Sequence, residues 1–171
     1  MIRIEKPTEK DLAALTALAK ETFVQSHGHS ASAEDIESYI LTHYTEVIFR
    51  KEINQPNAVY YLLYYKNKLV GYSKINYNQP IVAVKAKKIT KLERIYILEE
   101  FHGLGLGLVL FDYNLNLAEA KRQKGIWLYT WTGNDRAIRF YEKMGFEIVG
   151  SYDFRISDNH TNPNHQMYLA L

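Results

Sequence analysis

The order of strand-like and helical segments predicts an α/β (α+β) protein in which helices cover both faces of one mixed sheet. Apolar segments rich in β-branched and aromatic residues alternate along the chain with segments whose apolar residues recur at helical spacing. The predicted order is β, α, α, β, β, β, α, β, α, β, β. A glycine-rich turn past mid-chain joins a strand to a helix, and the next strand completes a βαβ unit whose two strands we expect to be parallel. The 171 residues predict a single domain over residues 1–171 with a full core.

The first half of the chain predicts one short strand, two helices and a hairpin. Ile2 and Ile4 alternate with polar residues as in a strand, and Thr8 with Asp11 forms a capping-box pattern that predicts a helix start. The first hairpin strand is apolar at odd and even positions alike, which is typical of a central strand. The predicted elements are a strand at Ile2–Glu5, a helix at Leu12–Phe23, a loop at Gln25–Ser30, a helix from Ser32 to Ile53, and strands at Ala58–Tyr65 and Leu69–Tyr77.

The second half predicts the βαβ unit, one more helix and two closing strands. Ile95 and Ile97 alternate with Arg94 and Tyr96 in the first strand of the unit, and Gly145 is placed to end the last helix. The predicted elements are a strand at Leu92–Ile97, a helix at Leu106–Ala118, a strand at Gly125–Thr132, a helix at Ala137–Met144, and strands at Phe146–Phe154 and Gln166–Leu171 joined by a polar loop at Ser157–Asn164.

Gly103, Gly105 and Gly107 lie at alternate positions where the strand passes into the helix. The first turn of a helix leaves backbone N–H groups without partners and carries a partial positive charge. Because glycine has no Cβ atom, a phosphate can approach these N–H groups directly, so the spacing favours phosphate binding over a purely structural turn. Two other phosphate motifs match poorly: Leu110 stands at the third glycine of a dinucleotide pattern, and no Lys or Ser/Thr follows Gly107 as in a Walker loop.

Two segments resemble the diagnostic motifs of the GNAT superfamily of N-acetyltransferases. The run Phe101–Gly107 is similar to the Gln/Arg-x-x-Gly-x-Gly/Ala motif, which wraps the pyrophosphate of acetyl-CoA, with His102 in the place of the usual Gln or Arg. The segment Asn134–Phe146 is similar to Asn-x-x-Ala-x-x-x-Tyr-x-Lys-x-Gly-Phe. Further segments look most like the bacterial spermine/spermidine N-acetyltransferases of the PaiA type, namely Glu21–Phe23, Leu92–Ile97, Ile126–Trp131 and Met167–Leu171.

The resemblance implies a twisted, mostly antiparallel sheet whose parallel strand pair is splayed, so that pantetheine can lie in the gap. It also implies direct transfer of an acetyl group from acetyl-CoA, the co-substrate, to a primary amine, with no metal and no acyl-enzyme. The main chain of Ile95, Tyr96 and Ile97 would bind the pantetheine and the acetyl carbonyl, Asn134 would bond the pantetheine arm, and Lys143 would approach the nucleotide phosphate. The pyrophosphate would lie on the N–H groups of His102, Gly103, Leu104, Gly105, Leu106, Gly107 and Leu108.

Tyr141 and Glu93 are the candidate catalytic residues. The resemblance gives Tyr141 the role of a phenol that supplies a proton to the departing CoA thiolate, and the alternative is a core aromatic whose hydroxyl is satisfied elsewhere. Glu93, two residues before Ile95 and so expected on the same strand face, would take the proton of the amine through water. The alternative for Glu93 is a salt-bridged strand carboxylate. Much of the acceleration is expected from holding amine and thioester in line.

The composition excludes several other kinds of site. The chain has no cysteine, which removes disulfides, thiolate metal sites and cysteine nucleophiles. A net charge of +2 gives no broad electrostatic footprint for nucleic acid or an anionic membrane. No apolar run is long enough to cross a bilayer and no signal pattern is visible, so we expect a cytoplasmic protein. His27 and His29 lack a third ligand at regular spacing, which favours a loop lining a pocket over a metal site.

The expected partner is a small-molecule amine, and the protein is expected to be a monomer or a homodimer. A polyamine acceptor calls for carboxylates near the acceptor cleft, and several occur in the helices that frame this cleft in similar enzymes: Glu21, Glu34, Asp35 and Glu37. Two alternatives stay open. One is acetylation of a protein lysine or N-terminus, and the other is a regulator that binds CoA without turnover, which only His102 favours.

Overall fold

All strands of the protein pair into one sheet, from the first element of the chain to the last. The computed structural model describes residues 1–171. Short 3-10 turns at Glu9–Asp11 and Glu99–Phe101 lie before the first helix and after the fourth strand. The elements in chain order are β1 (Ile2–Glu5), α1 (Leu12–His27), α2 (Ala33–His43), α3 (Glu46–Ile53), β2 (Ala58–Tyr65), β3 (Lys68–Asn76), β4 (Thr90–Ile97), α4 (Leu106–Ala120), β5 (Gly125–Trp131), α5 (Asp135–Lys143), β6 (Glu147–Ser157) and β7 (His160–Ala170).

The sheet has seven strands in the order β1-β2-β3-β4-β5-β7-β6. Every neighbouring pair is antiparallel except β4 and β5, which are parallel and connected through α4. The helices α1, α2 and α3 pack on one face, and α4 and α5 pack on the other. The predicted fold class, a mixed and mostly antiparallel sheet with helices on both faces, is therefore confirmed. No helix combines the length and the apolar composition that crossing a membrane requires.

The two faces of the sheet explain why β2 is apolar at every position. Leu62 packs with the α1 side of the core and Leu63 with α4, because successive side chains of a strand point to opposite faces. In β3, Tyr72 and Ile75 are likewise fully buried on opposite sides. Both strands lie in the interior of the sheet and are covered on both faces, as the sequence predicted for β2.

Two helix boundaries differ from the prediction because polar side chains are satisfied locally. Helix α1 continues through His27, where a loop was predicted from Gln25. There the Ser26 hydroxyl donates to the carbonyl of Thr22 at 2.9 Å, so a residue typical of loops is accommodated within the helix. The single helix predicted from Ser32 to Ile53 is two helices, since Thr45 Oγ1 accepts from Ile48 N–H at 3.3 Å and caps α3 as a new start.

The polar loop predicted at Ser157–Asn164 is a tight hairpin. Strand β6 extends to Ser157 and β7 begins at His160, so only Asp158 and Asn159 form the turn. Two polar residues of this segment are buried, Asn162 and Asn164, and Nδ2 of Asn162 donates to Ser30 Oγ at 2.7 Å. Because inward polar side chains break the apolar alternation of a strand, sequence periodicity could not identify this part of β7.

The parallel pair separates soon after it begins. β4 and β5 are paired only at Thr90↔Ile126 and Lys91↔Trp127, although β4 continues to Ile97 and β5 to Trp131. A β-bulge in β4 lies just beyond this point, because Leu92 and Arg94 face consecutive residues of β3 and Glu93 has no partner. Bulges bend a strand and increase its twist. The predicted splay is therefore present, and it opens a gap between the two strands.

Candidate active site

The gap between β4 and β5 is part of a cleft of about 630 Å³. Residues from helices on both faces of the sheet line this cleft. One end of the cleft is formed by the glycine turn before α4 and by the start of α5. The other end is lined largely by aromatic and histidine side chains of α1, α2 and β5. Such a long, mostly preformed and partly apolar cavity suits a ligand with a charged end and an extended arm.

The glycine turn presents a continuous run of free backbone N–H groups. From Gly103 to Leu108 no N–H donates to any group of the protein, and the first bond of this kind is that of Val109 to the Gly105 carbonyl at 3.1 Å. Gly103 and Gly105 have positive φ angles of 81° and 74°, which glycine adopts without strain. No atom lies within 4 Å of where a Cβ would stand at Gly103, Gly105 or Gly107. The turn can therefore receive an anion directly.

His102 differs from the role expected of it. Its N–H donates to the Glu99 carbonyl at 3.0 Å and is not part of the free run. Its imidazole Nε2 lies 2.8 Å from the Ile97 carbonyl oxygen, and its Nδ1 lies 2.5 Å from Nη1 of Arg136. Arg136, in the first turn of α5, is a residue of the cleft that the sequence analysis did not single out.

The free edge of β4 supplies main-chain groups along the cleft. Leu98 N–H donates to the Val70 carbonyl of the neighbouring β3 segment at 2.8 Å. Because an antiparallel ladder alternates, the N–H groups of Ile95 and Ile97 face away from β3, into the gap, whereas the main chain of Tyr96 faces β3. Of the three residues expected to bind pantetheine through the main chain, Tyr96 lines the cleft but is paired with Tyr72 of β3.

Tyr141 lies on the buried face of α5, between the glycine turn and the far end of the cleft. Its ring packs against Phe140 and Phe146 with centroids 5.5 Å away in each case. Its hydroxyl makes no hydrogen bond to the protein, yet it is not among the fully enclosed polar atoms, so the phenol is accessible from the cleft. Burial raises the pKa of Tyr141 well above its usual value, and the nearby Tyr96 adds to the shift. The phenol is therefore protonated at neutral pH and free to donate.

Glu93 lines the cleft but is held by cations on the other side of the strand from Ile95. Its carboxylate lies 3.2 Å from Lys74 Nζ and accepts from the amide of Asn76. The bulge at Glu93 interrupts the alternation of β4, so the expected shared face with Ile95, which packs toward α4, is not found. Burial alone would raise the pKa of Glu93, but Lys74, Lys91 and Arg94 outweigh it, and the pKa is lowered. Glu93 is therefore ionised at neutral pH.

Of three further residues predicted to bind acetyl-CoA, Asn134 lines the cleft, whereas Leu104 and Lys143 do not. Asn134 lines the cleft and caps α5, since its Oδ1 accepts from Ala137 N–H at 3.2 Å, and its Nδ2 is left free. Leu104 is exposed at the tip of the glycine turn and Lys143 is exposed at the far end of α5, and neither lines the cleft. A role for Lys143 at the nucleotide end stays a prediction.

The far end of the cleft contains the residues that would meet an acceptor. His27 and His29 both line it, with ring centroids 6.1 Å from Trp131 in each case, as expected of a pocket-lining segment. Burial, with a smaller effect from His29, lowers the pKa of His27 to about 4, so His27 is neutral at pH 7. Other aromatic residues complete this end of the cleft: Phe23, Tyr39, Tyr44, Tyr129 and Phe154.

Charged side chains are few along the cleft. The carboxylates that line it belong to Glu93 and Glu99, and the cations to Lys91, Arg94 and Arg136. The acidic residues proposed to frame a polyamine site do not line it: Glu21, Glu34, Asp35 and Glu37. No group of three or more His, Cys, Asp or Glu side chains is arranged to hold a metal ion.

Comparison with known proteins identifies the class to which this fold and cleft belong. The acetyltransferase (GNAT) family matches residues 13–146, which is most of the chain. An N-acetyltransferase of Lactobacillus delbrueckii subsp. lactis is 27% identical over 158 residues, covering 92% of this chain and 91% of that protein. The chain belongs to the acetyltransferase (GNAT) family. It is an N-acetyltransferase that uses acetyl-CoA as its co-substrate.

The resemblance to the PaiA type is confirmed in sequence and in fold. The spermine/spermidine N(1)-acetyltransferase of Bacillus subtilis is 32% identical over 93 residues, covering 54% of this chain and 61% of that protein. The crystal structure of the PaiA N-acetyltransferase of Thermoplasma acidophilum, in complex with coenzyme A, superposes with a TM-score of 0.80 at 22% identity. The superposition covers 100% of this chain and 99% of the Thermoplasma protein.

Proposed function

We propose that acetyl-CoA binds along the cleft with its diphosphate on the free N–H groups from Gly103 to Leu108. The observation that carries this proposal is that run of unpaired N–H groups, opening into the gap between β4 and β5. From there the pantetheine arm follows the free edge of β4, bonded by the main chain of Ile95 and Ile97 and by Nδ2 of Asn134. The thioester then lies near Tyr141, with Glu93 deeper in the gap.

The proposed reaction is direct attack of a primary amine on the thioester carbonyl. A new C–N bond forms and the C–S bond breaks, giving the acetamide and the CoA thiolate. The accessible phenol of Tyr141 supplies a proton to the thiolate and is reprotonated from solvent. The chain has no cysteine that could carry the acetyl group, and the cleft lets amine and thioester meet directly, so no acyl-enzyme is required.

In this proposal Glu93 attracts the protonated amine and orders the water through which its proton leaves. Its lowered pKa keeps it ionised but makes it a weak base, so the proton passes on to solvent rather than staying on the carboxylate. The neutral His27 lies at the same end of the cleft and offers a second acceptor for that water.

Glu93→Gln is expected to raise the KM for the amine about tenfold, since a charge-assisted contact is lost, with the KM for acetyl-CoA nearly unchanged. The matched control is Glu52→Gln, which removes the other carboxylate bound to Lys74 but lies outside the cleft lining. Steady-state kinetics with each substrate varied in turn makes the comparison. Equal effects of the two substitutions on the amine KM would show that Glu93 only stabilises the ion-pair network.

We propose a small primary amine as the acceptor, with polyamines as the finer candidate. The PaiA-type relatives support a polyamine, and the aromatic end of the cleft suits an ammonium group because aromatic faces attract cations. The scarcity of carboxylates argues for one bound cationic group rather than several.

The test is release of CoA thiol from acetyl-CoA with a panel of amines and a lysine-containing peptide. The panel contains spermidine, propylamine as the singly charged match for its reacting end, and phenylethylamine as an aromatic monoamine. We expect turnover with small amines and none with the peptide. Thiol release with the peptide alone would overturn the small-amine proposal in favour of protein acetylation, and release with spermidine alone would establish the polyamine.

A further inference from the structure

The phosphate end of the cleft has a cation whose position the helix itself does not explain. Arg136 lies in the first turn of α5, where the helix dipole disfavours positive charge. No carboxylate lies within 4 Å of its guanidinium, unlike those of Arg50 and Arg155 elsewhere on the surface. The guanidinium contacts the imidazole of His102, which carries no negative charge that would attract it.

The contacts of His102 fix which ring nitrogen carries the proton. The carbonyl oxygen of Ile97 can only accept, so Nε2, 2.8 Å away, must be the donor. A guanidinium can only donate, so Nδ1 must accept from Arg136 Nη1 at 2.5 Å. His102 is thus held as the neutral tautomer with its proton on Nε2, and it connects the end of β4 to the start of α5.

The residues of the glycine turn supply no side-chain cation to a bound diphosphate. No Lys or Arg occurs between residues 98 and 110, and the one acidic residue of this segment that lines the cleft is Glu99. A diphosphate placed on the N–H groups of Gly103–Leu108 would therefore find backbone donors but no side-chain cation within the turn itself. The other cations of the cleft, Lys91 and Arg94, belong to the opposite part of β4.

We propose that Arg136 binds the diphosphate of acetyl-CoA and that His102 is the residue that positions it. His102 anchors to the Ile97 carbonyl and holds one guanidinium nitrogen, which leaves the other N–H donors of Arg136 free for phosphate oxygens. His102 thereby compensates for the absent Gln or Arg of the motif by recruiting a cation from another helix. This inference rests on the proposed acetyl-CoA site and adds a side-chain contact to it.

Binding measurements with three ligands test whether Arg136 contacts the diphosphate rather than another part of CoA. Arg136→Gln is expected to weaken binding of CoA and of 3′-dephospho-CoA equally, about tenfold or more, because a charge-assisted contact to the diphosphate is lost. Pantetheine, which has no phosphate, should bind as it does to the wild type. The matched control is Arg139→Gln, an exposed arginine one turn further along α5 and outside the cleft, which should leave all three affinities unchanged.

His102 is tested by a variant that keeps its hydrogen bonds and one that removes them. His102→Gln retains a donor for Ile97 and an acceptor for Arg136, so CoA binding should stay near wild type. His102→Ala should weaken it nearly as much as Arg136→Gln, and the double variant should be no weaker than Arg136→Gln alone, because both act through one contact. Additive losses would overturn the positioning role of His102.

The outcomes also separate this inference from the proposed function. If wild-type protein fails to bind CoA by calorimetry, the proposed site itself is wrong. If wild type binds CoA and Arg136→Gln behaves as Arg139→Gln does, the site stands and the Arg136 contact is refuted. An effect on CoA but not on 3′-dephospho-CoA would move Arg136 to the 3′-phosphate and overturn its assignment to the diphosphate.

Discussion

Tyr141→Phe is expected to lower kcat about tenfold or more while leaving the Kd for CoA near the wild-type value. The substitution removes only the hydroxyl, and the ring keeps its packing against Phe140 and Phe146. Because the hydroxyl makes no hydrogen bond to the protein, no buried group is left unsatisfied, and the fold should be as stable as the wild type. The loss should therefore report the proton given to the thiolate.

The pH dependence sharpens this expectation. Burial raises the pKa of Tyr141, so its phenol stays protonated through the neutral range, and the ratio of wild-type to variant kcat should be constant from about pH 6 to 9. Tyr77→Phe is the matched control, since Tyr77 belongs to the same buried cluster but does not line the cleft. Equal kcat for Tyr141→Phe and wild type across this range would remove Tyr141 from the mechanism.

Gly105→Val is expected to abolish measurable CoA binding. The valine side chain would occupy the open space in which we place the diphosphate. It would also have to adopt the positive φ of 74°, which a β-branched residue strongly disfavours, so the turn itself would be distorted. The side chain would block access to the free N–H groups, and the distorted turn would move them. Calorimetry should therefore detect no heat of binding at CoA concentrations that saturate the wild type.

Gly107→Val separates blocking of the site from distortion of the turn. Gly107 lies within α4 without a positive φ, and nothing stands within 4 Å of its Cβ position. Valine is a better helix former than glycine, by a few tenths of a kcal/mol, so thermal stability should be equal or slightly higher. CoA binding should still be lost. A folded Gly107→Val protein with wild-type Kd would place the diphosphate elsewhere.

Local patterns in the sequence were sufficient to predict the seven strands and the glycine turn between β4 and α4. The free N–H groups of the turn were predictable because they follow directly from helix geometry, and the binding of a diphosphate there stays a prediction. The expectations of a splayed strand pair and of pantetheine in its gap came from the motif resemblance rather than from periodicity. The fold class needed only the order of the elements, which the structure matches strand for strand.

The features that were missed depend on contacts between distant parts of the chain. The bulge that moves Glu93 away from the face of Ile95 arises from the pairing of β4 with β3, which the sequence of β4 alone does not contain. The contact between His102 and Arg136 joins residues 34 positions apart. The buried asparagine of β7 pairs with Ser30 across 132 positions, so a polar strand was taken for a loop.

The central claim is that the N–H groups of the glycine turn receive the diphosphate of acetyl-CoA. The most direct test follows the backbone amide resonances of isotope-labelled protein during titration with CoA. The resonances of Gly103, Gly105 and Gly107 should shift strongly with CoA and stay in place with pantetheine, which has no phosphate. If they do not move at saturating CoA while resonances elsewhere do, the diphosphate binds at another place and the account is wrong.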